Sequence, residues 1–211
     1  MDNTVGSLTQ LQRSVIVGSI LGDGYLRRIP GRNDAFMEFN HALSQKEYVD
    51  WKYDILFNIV HNPPKERKGN GKRKAYRFFT KQLPELTKLM HTFYVERRKI
   101  ALPLKLDPVI LAVWYMDDGS MCRSADIYLN SQQFDMESQM NLLKSLSLTG
   151  LEARLNKDKQ YYRIRFLKRS ISRFFSMIDP YIVPSMKYKL SYDPVETTRR
   201  SPNLNTVGMK I

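Results

Sequence analysis

The sequence predicts an α+β chain folded as two pseudo-symmetric halves, each with the element order αββαββα. Three observations lead there. The stretch Leu111–Gly119 (LAVWYMDDG) has the build of Ile16–Gly24 (IVGSILGDG), an apolar helical run closed by Asp-Gly. The aspartates of the two copies, Asp23 and Asp118, stand 95 positions apart (118 less 23), close to half of the 211 residues. After each copy the same alternation of strand-like and helix-like segments recurs, with a basic hairpin in each half.

Taken in order, residues 8–22 are expected to form a helix. Leu8, Leu11, Val15, Gly18 and Gly22 keep the i, i+3, i+4 rhythm, and Thr9 or Ser7 can cap it. Gly18 and Gly22 lie one turn apart on one face, where each costs about 1 kcal/mol relative to alanine. Close approach of another helix backbone would compensate, and Gly22 and Gly24 also suit a helix end. Strands follow over Tyr25–Ile29 and Ala35–Ala42, joined by a turn at Pro30–Asp34. In the second of them Ala35, Met37 and Phe39 alternate with Phe36, Glu38 and Asn40. Residues 46–60 read as an amphipathic helix carrying Tyr48, Trp51, Leu56 and Ile59, ended by Asn62-Pro63-Pro64. Lys65–Lys74 is a basic hairpin turning at Gly69-Asn70-Gly71, with Ala75–Thr80 as its return strand. Pro84–Tyr94 is a helix, and Glu96–Lys99 leads on to Leu102-Pro103.

Asp107-Pro108 opens the second half, with Pro108 suited to the first turn of a helix running to Met116. Met121–Arg123 and Asp126–Gln132 are strand-like, and Met136–Leu148 is an amphipathic helix. Glu152–Asn156 and Tyr161–Phe166 form a hairpin, and Ile171–Ile178 is a helix. The expected division is a first half over 1–103, a second over 104–195, and a tail over 196–211 that lacks periodicity.

Lys and Arg outnumber Asp and Glu by 34 to 21, a net charge of +13, and the pI is near 9.8. That excess favours a polyanionic partner, nucleic acid above all. A hydrophobic fraction of 42% is enough for a packed core and excludes wholesale disorder. No apolar run approaches the roughly 20 residues needed to span a bilayer, and Asp2 and Asn3 precede a polar stretch rather than a basic one, unlike a secretory signal. An intracellular protein is expected, in a bacterial cytoplasm or an organelle. Cys122 stands alone, so there is no disulfide framework or thiolate zinc site. His41, His61 and His91 lack the i, i+4 spacing of a helical metal pair and read as surface or interface residues.

The strand faces point to a recognition surface. Tyr162, Ile164 and Phe166 project one way and Tyr161, Arg163 and Arg165 the other; Ile127 and Leu129 likewise oppose Asp126, Tyr128, Asn130 and Gln132. One face is core, and the other carries base-reading side-chain types. Arg can bond bidentately to guanine, and Asn or Gln to adenine, in a major groove wide enough for β-ribbons. Arg27, Arg28, Arg32, Glu38, Asn40 and Arg77 are the candidates of the first half, and Arg123 adds to the second. Lys72, Arg73, Lys74, Lys157 and Lys159, at the hairpin tips, suit phosphate contacts.

Hydrolysing a phosphodiester calls for divalent cations that polarise the phosphate and activate water. Magnesium favours one or two carboxylates, with waters and substrate phosphates completing its shell. Asp23 and Asp118, at the ends of two abutting helices, would meet that need for both strands of a duplex. Mg²⁺ is the expected cofactor, and Mn²⁺ or Ca²⁺ could substitute in binding.

These segments resemble the paired motifs of LAGLIDADG homing endonucleases. Ile16–Gly24 covers the nine-residue motif once and Leu111–Gly119 covers it again. The duplicated element order extends the resemblance over essentially the whole chain, in the manner of the monomeric, two-motif branch. The resemblance implies that the motif helices form the central interface and that two β-sheets form a DNA-binding saddle in the major groove. It implies metal binding by the acidic residues at the eighth motif position, Asp23 and Asp118, with Gly22 and Asp117 beside them. Cleavage would occur across the minor groove, leaving short 3′ overhangs. A basic residue in each half, supporting the activated water or the transition-state charge, would match Lys99 and Lys189, with Lys187 as the alternative to the latter.

There are departures. Val113 stands where the motif has its interface glycine, Asp117 takes the seventh position instead of a small residue, and Leu21 and Met116 replace the acidic sixth. Asp117 is either a helix-end hydrogen-bonding residue or a neighbour of the metal site. The function expected is a site-specific, Mg²⁺-dependent double-strand DNA endonuclease, intron-encoded and monomeric, with a long asymmetric target. The alternative is an RNA-binding maturase acting on its host intron RNA.

Overall fold

A computed structural model describes residues 8–69, 73–122 and 126–190. The first half runs α1 (Gln10–Leu21), β1 (Tyr25–Arg28), β2 (Ala35–Ala42), α2 (Lys46–Leu56), β3 (Lys65–Lys68), β4 (Lys74–Phe79) and α3 (Pro84–Phe93). A tight hairpin, β5 (Tyr94–Val95) with β6 (Arg98–Lys99), closes it. The second half runs α4 (Pro108–Asp118), β7 (Gly119–Met121), β8 (Ile127–Leu129), α5 (Met136–Leu148), β9 (Ala153–Asp158), β10 (Tyr161–Phe166) and α6 (Lys168–Ile178). The β5–β6 hairpin was not expected from the sequence, and α6 begins three residues earlier than its periodicity suggests.

The duplication is visible in the sheets. One is ordered β1-β2-β4-β3 and the other β7-β8-β10-β9, both antiparallel. Alternation decides which face is core: Ala35, Met37, Phe39 and His41 of β2 are buried, as are Ile164 and Phe166 of β10. The fold is the expected duplicated α+β arrangement.

Two helices lie at the centre. Every residue of α1 from Ser14 to Leu21, and of α4 from Val109 to Met116, is buried, as expected for helices apolar on all sides. They run parallel. At their starts Asp107 caps α4 by accepting from the Ile110 N–H at 2.8 Å and also accepts from Ser14 Oγ at 2.5 Å. At their ends the Asp23 N–H donates to Asp117 Oδ2 at 3.2 Å. Thr9 caps α1 in a reciprocal box with Gln12.

Gly18 and Gly22 both face α4 at a separation that leaves no room for a side chain. A Cβ on Gly18 would fall 2.7 Å from Val113 Cβ and 2.8 Å from the Ile110 carbonyl oxygen, and one on Gly22 would fall 2.4 Å from Asp117 Cβ. Gly22 also ends α1, its N–H donating to the Gly18 carbonyl at 3.1 Å. No described helix is long and apolar enough to cross a membrane.

Candidate active site at the ends of the motif helices

Because α1 and α4 run side by side and end together, the residues after their last turns share one place. Asp23 follows α1, and Asp118 is the last residue of α4. Gln133 joins them: its amide donates to the Leu21 carbonyl at 3.0 Å, the Gly22 carbonyl at 3.4 Å and Asp118 Oδ2 at 3.3 Å. The two carboxyl groups feel each other. Burial, then Asp23 and Asp117, push Asp118 up to about 7; burial and Asp117 raise Asp23 as well. Carboxylates whose ionised forms are penalised in this way favour a cation between them.

A lysine stands at the end of each motif helix. Lys99 donates to the Gly22 carbonyl at 2.6 Å. Lys189 donates to the carbonyls of Met116 at 2.5 Å and Gly119 at 3.1 Å. Both occupy the negative end of a helix, where a cation is favoured. Burial lowers each, Lys99 to about 8, against the pull of the three aspartates. Lys187, the alternative, turns away to Asp179 at 2.5 Å.

Asp117 sits behind this pair. Its side chain has no exposed surface, and both oxygens are engaged. Oδ1 accepts from Lys52 at 2.9 Å and from the Tyr48 hydroxyl at 2.8 Å; Oδ2 accepts from the Asp23 N–H. Burial opposes its ionisation, yet Lys52, His41 and these hydrogen bonds hold it below the usual carboxylate range.

Asp23, His41 and Asp117 bring ligand-type atoms within 4.8 Å of one another. The Lys52 ammonium lies against two of them, 3.3 Å from His41 Nε2 and 2.9 Å from Asp117 Oδ1. Of the surface-or-interface reading His41 takes the second form: it is buried on the inward side of β2, against Asp117 of the other half. His61 and His91 are exposed.

The donor set fits a magnesium-like cation. The Asp23 carboxylate is half exposed and accepts no hydrogen bond among the described residues, while Asp118 accepts only from Gln133 there. Hard oxygen donors with open lone pairs, beside space for waters and phosphate, are what Mg²⁺ requires. The Gly22 carbonyl points to the same place but is held by Lys99 and Gln133.

The outward sheet faces carry the expected recognition residues, many of them already paired. Arg27 meets Glu38 at 2.9 Å, and Arg77 approaches it at 3.7 Å. Asn40 is exposed opposite Arg77. Arg28, Arg32, Arg73, Lys157 and Lys159 are exposed, and Lys74 lies 3.4 Å from Glu66. In the second half Arg163 covers the Tyr128 ring at 3.9 Å, which leaves that ring buried. Arg165 binds Asp126 at 2.8 Å, and Gln132 donates to Asp158 at 3.0 Å. Asn130 donates to Ser120 at 3.4 Å. Lys72 and Arg123 lie outside the described residues.

Lys52 and Gln133 were missed by the sequence reading. Lys52 had a signal: it falls on the apolar stripe Tyr48–Lys52–Leu56, where an unpaired lysine has no place. Gln133 had none, since it works from a turn.

Comparison with known proteins gives the family and the fold. The chain matches the family described as the LAGLIDADG DNA endonuclease family over residues 13–174. It is 34% identical over 205 residues to a protein named RecA from Mycobacterium gastri, across 87% of this chain and 48% of that one. The chain thus spans about half the length of that protein and 28% of the RecA of Mycobacterium leprae. It is 27% identical over 204 residues to the probable intron-encoded endonuclease 1 of Wickerhamomyces canadensis, across 89% of this chain and 87% of that one. It is 29% identical over 190 residues to the cytochrome b mRNA maturase bI2 of Debaryomyces hansenii, across 83% and 72%. Among solved structures it is similar to the homing endonuclease I-WcaI bound to its DNA recognition sequence. That likeness has a TM-score of 0.81 and 25% identity, covering 90% of this chain and 89% of that one. With twin aspartates at the ends of paired central helices and a family match over most of its length, this chain belongs to the LAGLIDADG DNA endonuclease family.

Proposed function

We propose that the chain makes double-strand breaks at a long, asymmetric DNA site by Mg²⁺-dependent phosphodiester hydrolysis, acting as a monomer encoded by an intron. The observation that carries this reading is the meeting of Asp23 and Asp118 at the ends of two parallel buried helices, each backed by a lysine. Residues 1–103 and 104–195 each supply one carboxylate, so one chain addresses both strands. When bound, the divalent cation would polarise the phosphate, make a nearby water more acidic and offset charge on the leaving oxygen. Asp23 and Asp118 hold it. Gln133 fixes the Asp118 carboxylate against the end of α1, and Lys99 and Lys189 keep positive charge where the phosphate gains negative charge. The arginines of both sheet faces, preset by Glu38, Tyr128 and Asp126, read base edges, while the exposed tip lysines meet phosphates. The protein works in the compartment that holds its host gene, a bacterial cytoplasm or an organelle.

The test is incubation of the chain with Mg²⁺ and duplex DNA joined across the insertion point of its reading frame. Cutting of both strands is expected, and each of Asp23→Asn and Asp118→Asn should abolish it. Native-rate cutting by either variant overturns the assignment.

A second reading is favoured by the 29% identity to a protein named as a maturase: help in splicing the host intron RNA. A splicing assay separates the two, because RNA binding has no need of the aspartates.

A further inference from the structure

Behind Asp23 lies a connected unit that hydrolysis as read above leaves unused. Lys52 projects from α2 into the core with no exposed surface. Its ammonium lies 2.9 Å from Asp117 Oδ1, 3.3 Å from His41 Nε2 and 4.2 Å from the centre of the Tyr48 ring. Asp117 turns its other oxygen to the backbone N–H of Asp23. An ammonium offers only donors, so the His41 Nε2 facing it accepts and Nδ1 carries the hydrogen. That edge of the ring faces Asp23 Oδ2 at 3.8 Å. The hydrogen-bonded route from Lys52, through Asp117, therefore ends on Asp23, while His41 lies beside its carboxylate beyond hydrogen-bond distance. Asp118 is held from elsewhere, by Gln133.

The asymmetry follows from packing. At the seventh motif position Asp117 lies directly over Gly22, so only one copy can carry a side chain there. Having put a third carboxylate into the core, the fold must pair it, because an unpaired buried charge is strongly destabilising. Lys52 is that partner.

We infer that Lys52 is a positioning residue for Asp23 alone: it fixes the Asp117 carboxylate, and Asp117 pins the main chain that presents Asp23. The Asp118 carboxylate, though next in the chain to Asp117, takes its hydrogen bond from Gln133 and none from this unit among the described residues. The consequence for strand cleavage rests on the endonuclease reading; the coupling itself does not.

The test uses the full chain, ¹⁵N-labelled and metal-free, and reads hydrogen exchange at the Asp23 and Asp118 amides. The variants are Lys52→Met and the charge-balanced Lys52→Met/Asp117→Asn, which removes both charges together should the single variant fail to fold. Relative to each amide's intrinsic rate in the variant sequence, exchange at Asp23 should quicken about tenfold as a charge-assisted hydrogen bond weakens, with protection at Asp118 unchanged. Equal acceleration at both amides, or none at Asp23, overturns the inference. A second readout is the nicking rate of each end-labelled strand of the joined-flank duplex in Mg²⁺. One strand should slow about tenfold by the same reasoning, and the other should keep its rate; both slowing alike overturns the inference. A wild-type chain that cuts neither strand defeats the endonuclease reading instead, and the exchange rates still decide the coupling.

Discussion

Gly22 and Asp117 hold the same position in the two motif copies, and they meet: a Cβ on Gly22 would lie 2.4 Å from that of Asp117. Gly18 and Val113 repeat the relationship at the third position, 2.7 Å apart. In a pseudo-twofold interface, equivalent positions face each other, so a large residue in one copy demands a small one in the other. The departures from motif symmetry in the second copy are thus matched by glycines in the first.

Gly18→Ala should destabilise the fold by about 1–3 kcal/mol, because its methyl meets a backbone carbonyl as well as Val113. Adding Val113→Gly, which removes the facing Cβ, should recover part of the loss. Urea unfolding of the two single variants and the double variant gives the coupling; simple additivity would contradict it.

Asp118 is a carboxyl whose ionisation is opposed by burial, Asp23 and Asp117, and which is pushed up to about 7. The folded chain therefore keeps a proton that an unfolded carboxylate, with a pKa of about 4, gives up. In EDTA, the Asp118 contribution to stability should be full below the ordinary carboxylate range and be lost as pH rises through about 7. Asp118→Asn should flatten that slope and raise the melting temperature at pH 8 by a few degrees, while abolishing cleavage. A lower melting temperature at pH 8 would contradict the repulsion.

The three C-terminal and hairpin lysines are expected to behave differently. Lys99→Gln and Lys189→Gln should each slow cleavage by about 10² or more, the scale of a lost transition-state contact, with little effect on DNA binding in Ca²⁺. Lys187→Gln should leave the rate alone, since that side chain pairs with Asp179. Single-turnover kinetics and gel-shift titrations check both.

Lys157 and Lys159 stand exposed at the tip of the β9–β10 hairpin. If they contact phosphates, each replacement by alanine should lower the slope of log affinity against log salt by about 0.9. Arg163→Ala should instead relax sequence preference, because it also uncovers Tyr128.

Much of this was legible in the sequence. The apolar run of α4, the alternation of β2 and β10 and the repeat spacing of Asp23 and Asp118 placed the central helices and both sheets. What escaped has physical reasons. The β5–β6 strands are two residues each, too short for periodicity, and their turn is made by Glu96 at φ 55° rather than by a glycine. Lys52 and His41 look like surface residues by type, and only their place on an apolar stripe and a buried alternation betrays them. Lys189 and Lys187 are separated by packing alone. Gln133 reaches Asp118 and the end of α1 from a turn whose course local sequence does not determine.

The most direct test is an anomalous difference map of the chain bound to its DNA target with Mn²⁺. Peaks about 2.1 Å from carboxylate oxygens of both Asp23 and Asp118, shared with scissile phosphates, are expected. Peaks on Asp117 and His41 with none at Asp118 would contradict the paired-carboxylate site.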